Sequence, residues 1–315
     1  MTEQVLRKVE HEITVCAGAP DVYRLIADVE NWPRIFPPTV YADYVECSGQ
    51  EERIRIWATA NGEAKSWTSR RVLDPAGLRI EFRQEVSAPP VAGMGGVWLI
   101  EPVSAGECRV RLLHDYQAID DDPDDLVWID QAVDRNSRSE LAALKANVEL
   151  DDGSSAGRLM SFTDTVRIDG SAKDVYDFLN EAQLWQERLP HVARVDLEEK
   201  TPGLQILEMD TRTKDGSTHT TKSVRVCFPH SKIAYKQVVL PPLMSLHAGC
   251  WQVVEDGDGV RATSQHTVVI NTANIPKILG DAAGVQEAKE LVKDSLSANS
   301  RATLGHAKEY VEARR

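Results

Sequence analysis

Asp21-Val22-Tyr23, followed by Trp32-Pro33-Arg34-Ile35-Phe36-Pro37, decides the fold, because the chain writes it twice. Asp174-Val175-Tyr176, Trp185 and Leu189-Pro190 stand in the same order at an offset near 153. Outward from this stretch the agreement continues. Ser69-Arg70-Arg71 returns as Ser223-Val224-Arg225, Pro89-Pro90 as Pro241-Pro242, Trp98 as Trp251 and His114 as His266. Asn136-Ser137-Arg138 returns as Asn299-Ser300-Arg301, with ten residues inserted before it. No single match is compelling, but eight in one order at a nearly fixed offset are hard to reach by chance. The 315 residues therefore read as a tandem duplication, with a first domain at 1–150 and a second at 158–315. Between them, 151–157 is a run of Asp, Gly, Ser and Ala, small polar residues that make a linker.

Each copy has one order of elements. Residues 9–15 alternate apolar and polar, as a half-buried strand does. Pro20 and Asp21 open a short helix with Val22, Leu25, Ile26 and Val29 on one face. A Pro-rich turn at 32–38 leads to strands at 41–47, 52–58, 63–73, 78–86, 96–102 and 108–118. A long amphipathic helix closes the copy at 126–149, and its counterpart runs over 286–312. This order is α+β. An antiparallel sheet wrapped round one long C-terminal helix leaves a cavity between them, the helix-grip arrangement.

Composition excludes several classes. At 42% hydrophobic and 27% charged the chain is globular. It has no run of eighteen apolar residues, so no membrane-spanning helix is expected. Its N-terminus is charged and lacks an apolar signal core, so a cytoplasmic location is expected. A net charge of −13 argues against nucleic acid as a partner. Five scattered cysteines without Cys-x-x-Cys spacing indicate neither a disulfide framework nor a zinc site. No metal cluster, phosphate loop or cofactor motif is present, so no cofactor is expected.

Side chains alternate along a strand. Trp67, Ser69 and Arg71 therefore share one face, and Thr68, Arg70 and Val72 the other. Either face could point inward. The strand at 108–118 helps to decide: Val110, Leu112, His114, Tyr116 and Ala118 form its apolar face, against Arg109, Arg111 and Asp115. The apolar face belongs inside and brings a histidine and a phenol with it. A lone inward histidine is more often a satisfied core residue than a catalyst. One accompanied by Tyr116, Arg71 and Ser69 points to a polar site in an apolar pocket. Trp57, Met94 and Trp98 are candidate walls. Pro and Gly in 89–94 suggest a turn or a mobile lid.

On these residues the sequence resembles the aromatase/cyclases of bacterial type II polyketide synthases, which have the START-like helix-grip fold. The carriers of the resemblance are Asn31-Trp32-Pro33 through Phe36, the strand Trp67-x-Ser69-x-Arg71, and Met94 followed by Trp98. Two copies resemble the didomain subclass. The resemblance implies that Arg71 is the essential pocket arginine, Ser69 its hydroxyl partner, and Trp32, Trp67, Met94 and Trp98 the walls. Tyr41 is the nearest match to a family tyrosine that follows the Trp-Pro turn. The second copy keeps Trp185, Ser223, Arg225, His266 and Trp251, with Thr221 in place of the pocket tryptophan. It is the candidate for a smaller dehydration site or a vestigial one, and the first copy for the main site.

The implied reaction is intramolecular aldol cyclisation and dehydration of a poly-β-ketone, with the first ring between carbons seven and twelve. The implied partners are an acyl carrier protein and other synthase subunits. Holding the chain in one geometry is worth roughly 7–11 kcal/mol, and a fixed donor such as Arg71 on a developing oxyanion about 3 kcal/mol. Arginine stays protonated, so the proton carrier is water, Ser69, or His114 with Tyr116. The rival reading is a non-catalytic carrier of a hydrophobic small molecule on the same scaffold. A carrier needs only an apolar pocket; Ser69, Arg71 and His114 favour an enzyme.

Overall fold

The computed structural model describes residues 6–60, 63–150, 157–212 and 216–314. The chain divides into two compact units, Met1–Ala156 and Gly157–Arg315. Most of the expected linker, 151–156, lies outside the described residues.

In the first unit β1 (Arg7–Val15) leads to α1 (Ala19–Ala27) and α2 (Trp32–Ile35). Six strands follow: β2 (Thr39–Ser48), β3 (Glu51–Ala60), β4 (Glu63–Asp74), β5 (Arg79–Gln84), β6 (Val91–Ser104) and β7 (Glu107–Ala118). The closing helix is α3 (Pro123–Leu150). The second unit repeats this with β8 (Leu159–Ile168), α4 (Ala172–Asn180), α5 (Trp185–Arg188), β9 (Val192–Thr201), β10 (Leu204–Arg212) and β11 (Thr218–Phe228). It continues through β12 (Lys232–Val239), β13 (Met244–Asp256), β14 (Gly259–Ile270), α6 (Ile275–Leu279) and α7 (Val285–Glu312). Each sheet has seven antiparallel strands, ordered β1-β7-β6-β5-β4-β3-β2 and β8-β14-β13-β12-β11-β10-β9.

The local reasons are visible in the sequence. In α1, Ala19, Val22, Tyr23 and Ile26 recur at helical spacing, and all four are buried. Their cluster contains Val110 and Leu112 of β7 and Leu141 and Leu144 of α3, so one core joins the short helix, the sheet and the long helix. Burying each such aliphatic side chain contributes about 2 kcal/mol. The extra segment of the second copy contains α6, whose Ile275 packs with Met244, Val268, Ala288 and Val292.

The segment expected as a turn or lid is a turn only at Pro89 and Pro90. Val91 to Met94 belong to β6, which pairs with β7 from Val91 onward. Glycine is what permits the strand here: a Cβ at Gly96 would run into the Leu113 carbonyl and the Phe82 ring. Among the described residues, no helix is long and apolar enough to cross a membrane.

Candidate active site

Register assigns the faces of the first sheet. Trp67 pairs with Ile56, Ser69 with Ile54 and Arg71 with Glu52. Arg71 pairs in turn with Phe82, and Ser69 with Gln84. Met94 pairs with Tyr116, Gly96 with His114 and Trp98 with Leu112. Residues paired directly across antiparallel strands share a face, so all of these point to the side covered by α3. Ser69 and Arg71 are buried there, while Val72 on the other face is 45% exposed.

The same register removes two expected wall residues. Tyr41 pairs with Trp57, and Trp57 with Ser66. Both aromatics therefore lie on the outer face, where their rings pack on each other and Arg55 sits over Trp57. The parity of β3 decides this: Ile54 and Ile56 face inward, so Trp57 cannot.

Arg71 completes the end of a helix. The last carbonyls of α1 have no partner within the helix, and a cation is favoured beside them. Arg71 Nη2 donates to Ala27 O at 2.7 Å and Nη1 to Ile26 O at 3.4 Å. It also forms an ion pair with Glu52, and its guanidinium lies over the Trp32 ring at 5.4 Å. The Trp32 indole N–H donates to Ile26 O at 2.9 Å. Only Arg71 Nε lacks a partner. The expected ketone anchor thus has both terminal nitrogens engaged by the protein, and its charge is balanced by Glu52. Phe36 bridges Trp32 and Trp98 at ring distances of 5.5 and 5.8 Å and closes this end of the interior.

Two expected proton carriers are also committed. The Ser69 hydroxyl donates to Arg83 O at 3.0 Å. The fully buried Tyr116 donates its hydroxyl to Asp130 on α3; burial first, and Asp130 second, push the phenol well above its ordinary range. Tyr116 ties sheet to helix, because a buried phenol needs a partner and α3 supplies one. His114 remains. Its Nδ1 is 3.4 Å from Ser137 Oγ on α3, and burial lowers it to about 4, so it is a neutral imidazole at pH 7.

Sequence reasoning missed Glu140. It lies one turn beyond Ser137, on the α3 face that carries Val133, Ser137 and Leu144, all buried. Glu140 itself is partly exposed, and burial raises its carboxyl to about 7. A charged residue at core spacing, three after Ser137 in the repeated Asn-Ser-Arg, was the available signal.

The second unit has a cavity of about 130 Å³ at the equivalent place. Trp185, Thr221, Ser223, Arg225, Trp251 and His266 line it together. His247 and Tyr235, which were not foreseen, line it too. Arg225 Nη2 donates to Leu179 O at 2.6 Å and the guanidinium lies over Trp185 at 5.3 Å, repeating the Arg71 geometry. The Glu52 position is filled by Gln205, which pairs with Arg225 across the strands.

Comparison with known proteins settles the family. A family described as "Polyketide cyclase / dehydrase and lipid transport" matches residues 7–149 and again 160–312. The chain belongs to the polyketide cyclase/dehydrase family.

Relatives within it share the whole architecture. The granaticin polyketide synthase bifunctional cyclase/dehydratase of Streptomyces virginiae is 54% identical over 94% of this chain and 97% of its own. The actinorhodin polyketide synthase bifunctional cyclase/dehydratase of Streptomyces coelicolor is 43% identical over 95% of each. Among solved structures, the di-domain ARO/CYC BexL matches with a TM-score of 0.93 at 65% identity, over 98% of this chain and 100% of that one. StfQ, the di-domain ARO/CYC of the steffimycin pathway, matches with a TM-score of 0.88 at 33% identity, over 97% and 99%. This polyketide cyclase/dehydrase is thus an enzyme of the two-domain aromatase/cyclase kind.

Proposed function

We propose that the first domain closes the first ring of a poly-β-ketone delivered by an acyl carrier protein, with Glu140 as its proton carrier. The observation that supports this is a partly exposed carboxyl on the face of α3 that carries the buried Val133, Ser137 and Leu144, raised to about 7 by burial. A carboxylate of that basicity removes a proton from a carbon flanked by two carbonyls, and the acid so formed returns it. The resulting enolate attacks a ketone carbon further along the chain, and the new alkoxide takes the proton from Glu140. His114, neutral and steadied by Ser137, donates to the oxygen on which charge develops. Trp67 and Met94 give walls for a ring that becomes flat. Arg71 acts as a positioning residue through α1 and Trp32.

In this reading 1–150 and 158–315 are separately acting domains joined by 151–157, the first ring forms between carbons seven and twelve, and other synthase subunits are partners. We also infer a cytoplasmic setting: all five cysteines are free, as suits a reducing compartment. The test is Glu140→Gln in a reconstituted synthase. Its products shift to the shunts of uncatalysed closure, while a wild-type pattern removes Glu140 from the reaction.

A further inference from the structure

Two of the differences between the interiors lie on facing strands of the second sheet. Across the strands Arg71 faces Phe82, whereas Arg225 faces Tyr235. Met94 faces Tyr116, whereas His247 faces Val268. Tyrosine for phenylalanine and histidine for methionine build a connected polar array. His247 Nε2 lies 2.9 Å from His266 Nδ1. His266 Nε2 lies 2.8 Å from Ser300 Oγ and 2.9 Å from Ser264 Oγ. The Tyr235 hydroxyl lies 3.0 Å from His266 Nδ1 and 3.4 Å from His247 Nε2. Gly249 leaves room for that hydroxyl, which a Cβ there would meet at 2.8 Å. Apart from the ends of the array, the network is closed on itself.

The ends are the informative part. His247 Nδ1 and Arg225 Nη1 are buried and have no protein partner, and both residues line the cavity. An unsatisfied buried polar atom costs about 1–3 kcal/mol, and a base and a cationic donor left so in one cavity mark a ligand's place. Burial keeps both imidazoles neutral, at about 3 for His247 and about 4 for His266. A cavity of about 130 Å³ is close to the size that holds one benzene molecule, so one six-membered ring fits.

We propose that the second domain dehydrates the newly closed ring, a cyclic β-hydroxyketone, through a proton relay that enters at His247 Nδ1 and leaves at Ser300 Oγ. This rests on ring closure by the first domain. The ketone oxygen accepts from Arg225 Nη1. The α C–H bond breaks and its proton goes to His247 Nδ1, leaving an enolate. The electron pair forms the carbon–carbon double bond, the β C–O bond breaks, and the hydroxyl departs as water with the Ser300 proton. His266 Nε2 then restores Ser300, and the His247 Nε2 proton fills His266 Nδ1. Substrate has lost one water, the protein holds as many protons as before, and a water passing a proton the other way resets both tautomers.

The experiment uses the full chain in a reconstituted synthase, with products followed by mass at early times. His247→Met installs the first domain's residue, and Ser300→Ala removes the far end of the relay. Both accumulate the ring compound one water heavier than the aromatic product, at a dehydration rate lowered roughly 10²-fold, with the ring pattern of the wild type. If one variant fails to fold, the other reads the opposite end of the same relay. Variants that dehydrate at the wild-type rate, or that lose the ring pattern instead, overturn the relay. A wild-type chain that leaves the synthase's products unchanged overturns the ring-closing reading and this one with it.

Discussion

In the first domain the strand arginine lies beside a carboxylate, Glu52; in the second, the residue at that place is Gln205, whose amide turns to Glu199 at 2.8 Å. Both arginines cap a helix and both stack on a tryptophan. One guanidinium is ion-paired with a carboxylate, whereas burial depresses the other against the opposing pull of Cys227, Tyr176 and Glu199. The acid–base groups divide in the opposite sense. A carboxyl, Glu140, sits on α3 where α7 has Thr303, a cavity-lining hydroxyl. Imidazole and phenol stand in the second domain where the first has thioether and benzene rings. Duplication preserved the scaffold and its helix-capping arginine, while the buried polar groups around it differ between the copies.

That comparison can be broken at several points. The largest effect falls on Glu140→Gln, which slows ring closure by roughly 10²- to 10⁴-fold in single-turnover product analysis. The wild-type rate for closure rises with pH through about 7, since the carboxylate is the base, and the variant lacks that limb. Next comes Arg71→Ala, which strands Glu52 and opens the end of α1. Breaking a buried pair costs about 3–5 kcal/mol, read as a lower denaturation midpoint, with Arg71→Lys restoring part of it. Arg225→Ala strands no paired carboxylate, so it lowers the midpoint less than Arg71→Ala does.

Trp67→Thr, which copies Thr221, shifts the product ratio by about tenfold if the indole is a wall worth about 1–1.5 kcal/mol. Tyr41→Phe, on the outer face, leaves products unchanged; a change in ring pattern would move that face into the site. The smallest effect is thermal. The raised pKa of Glu140 means that folding favours its protonated form, so its stability contribution is full below the ordinary carboxyl range and is lost as pH rises through about 7. Glu140→Gln therefore melts a few degrees above wild type at pH 8, and the gap closes below pH 4.5.

The repeat made the fold legible. Asp-Val-Tyr and Trp at one offset located equivalent helices, and alternation in 66–72 and 108–118 placed Trp67, Ser69, Arg71 and His114 on the inner face where register confirms them. Legibility failed wherever the partner of a group lay far off in sequence. Nothing near Arg71 announces that Ile26, Ala27 and Glu52 will claim its nitrogens, nor anything near Tyr116 that Asp130 will accept its hydrogen bond. Trp57 was misplaced for a nearer reason, since its parity against Ile54 and Ile56 already put it outside. Glu140 and His247 are not legible within one copy, because a lone charge or histidine on its own element means little. Comparison across the two copies, Glu140 with Thr303 and Met94 with His247, was the signal that would have found both.

The most direct test of a divided labour compares Glu140→Gln with His247→Met in one reconstituted synthase, scoring each product for ring position and for retained water. Glu140→Gln is expected to scramble ring position, whereas His247→Met keeps the ring and retains the water. Loss of ring position in His247→Met with a wild-type pattern in Glu140→Gln would contradict it and assign ring closure to the second domain.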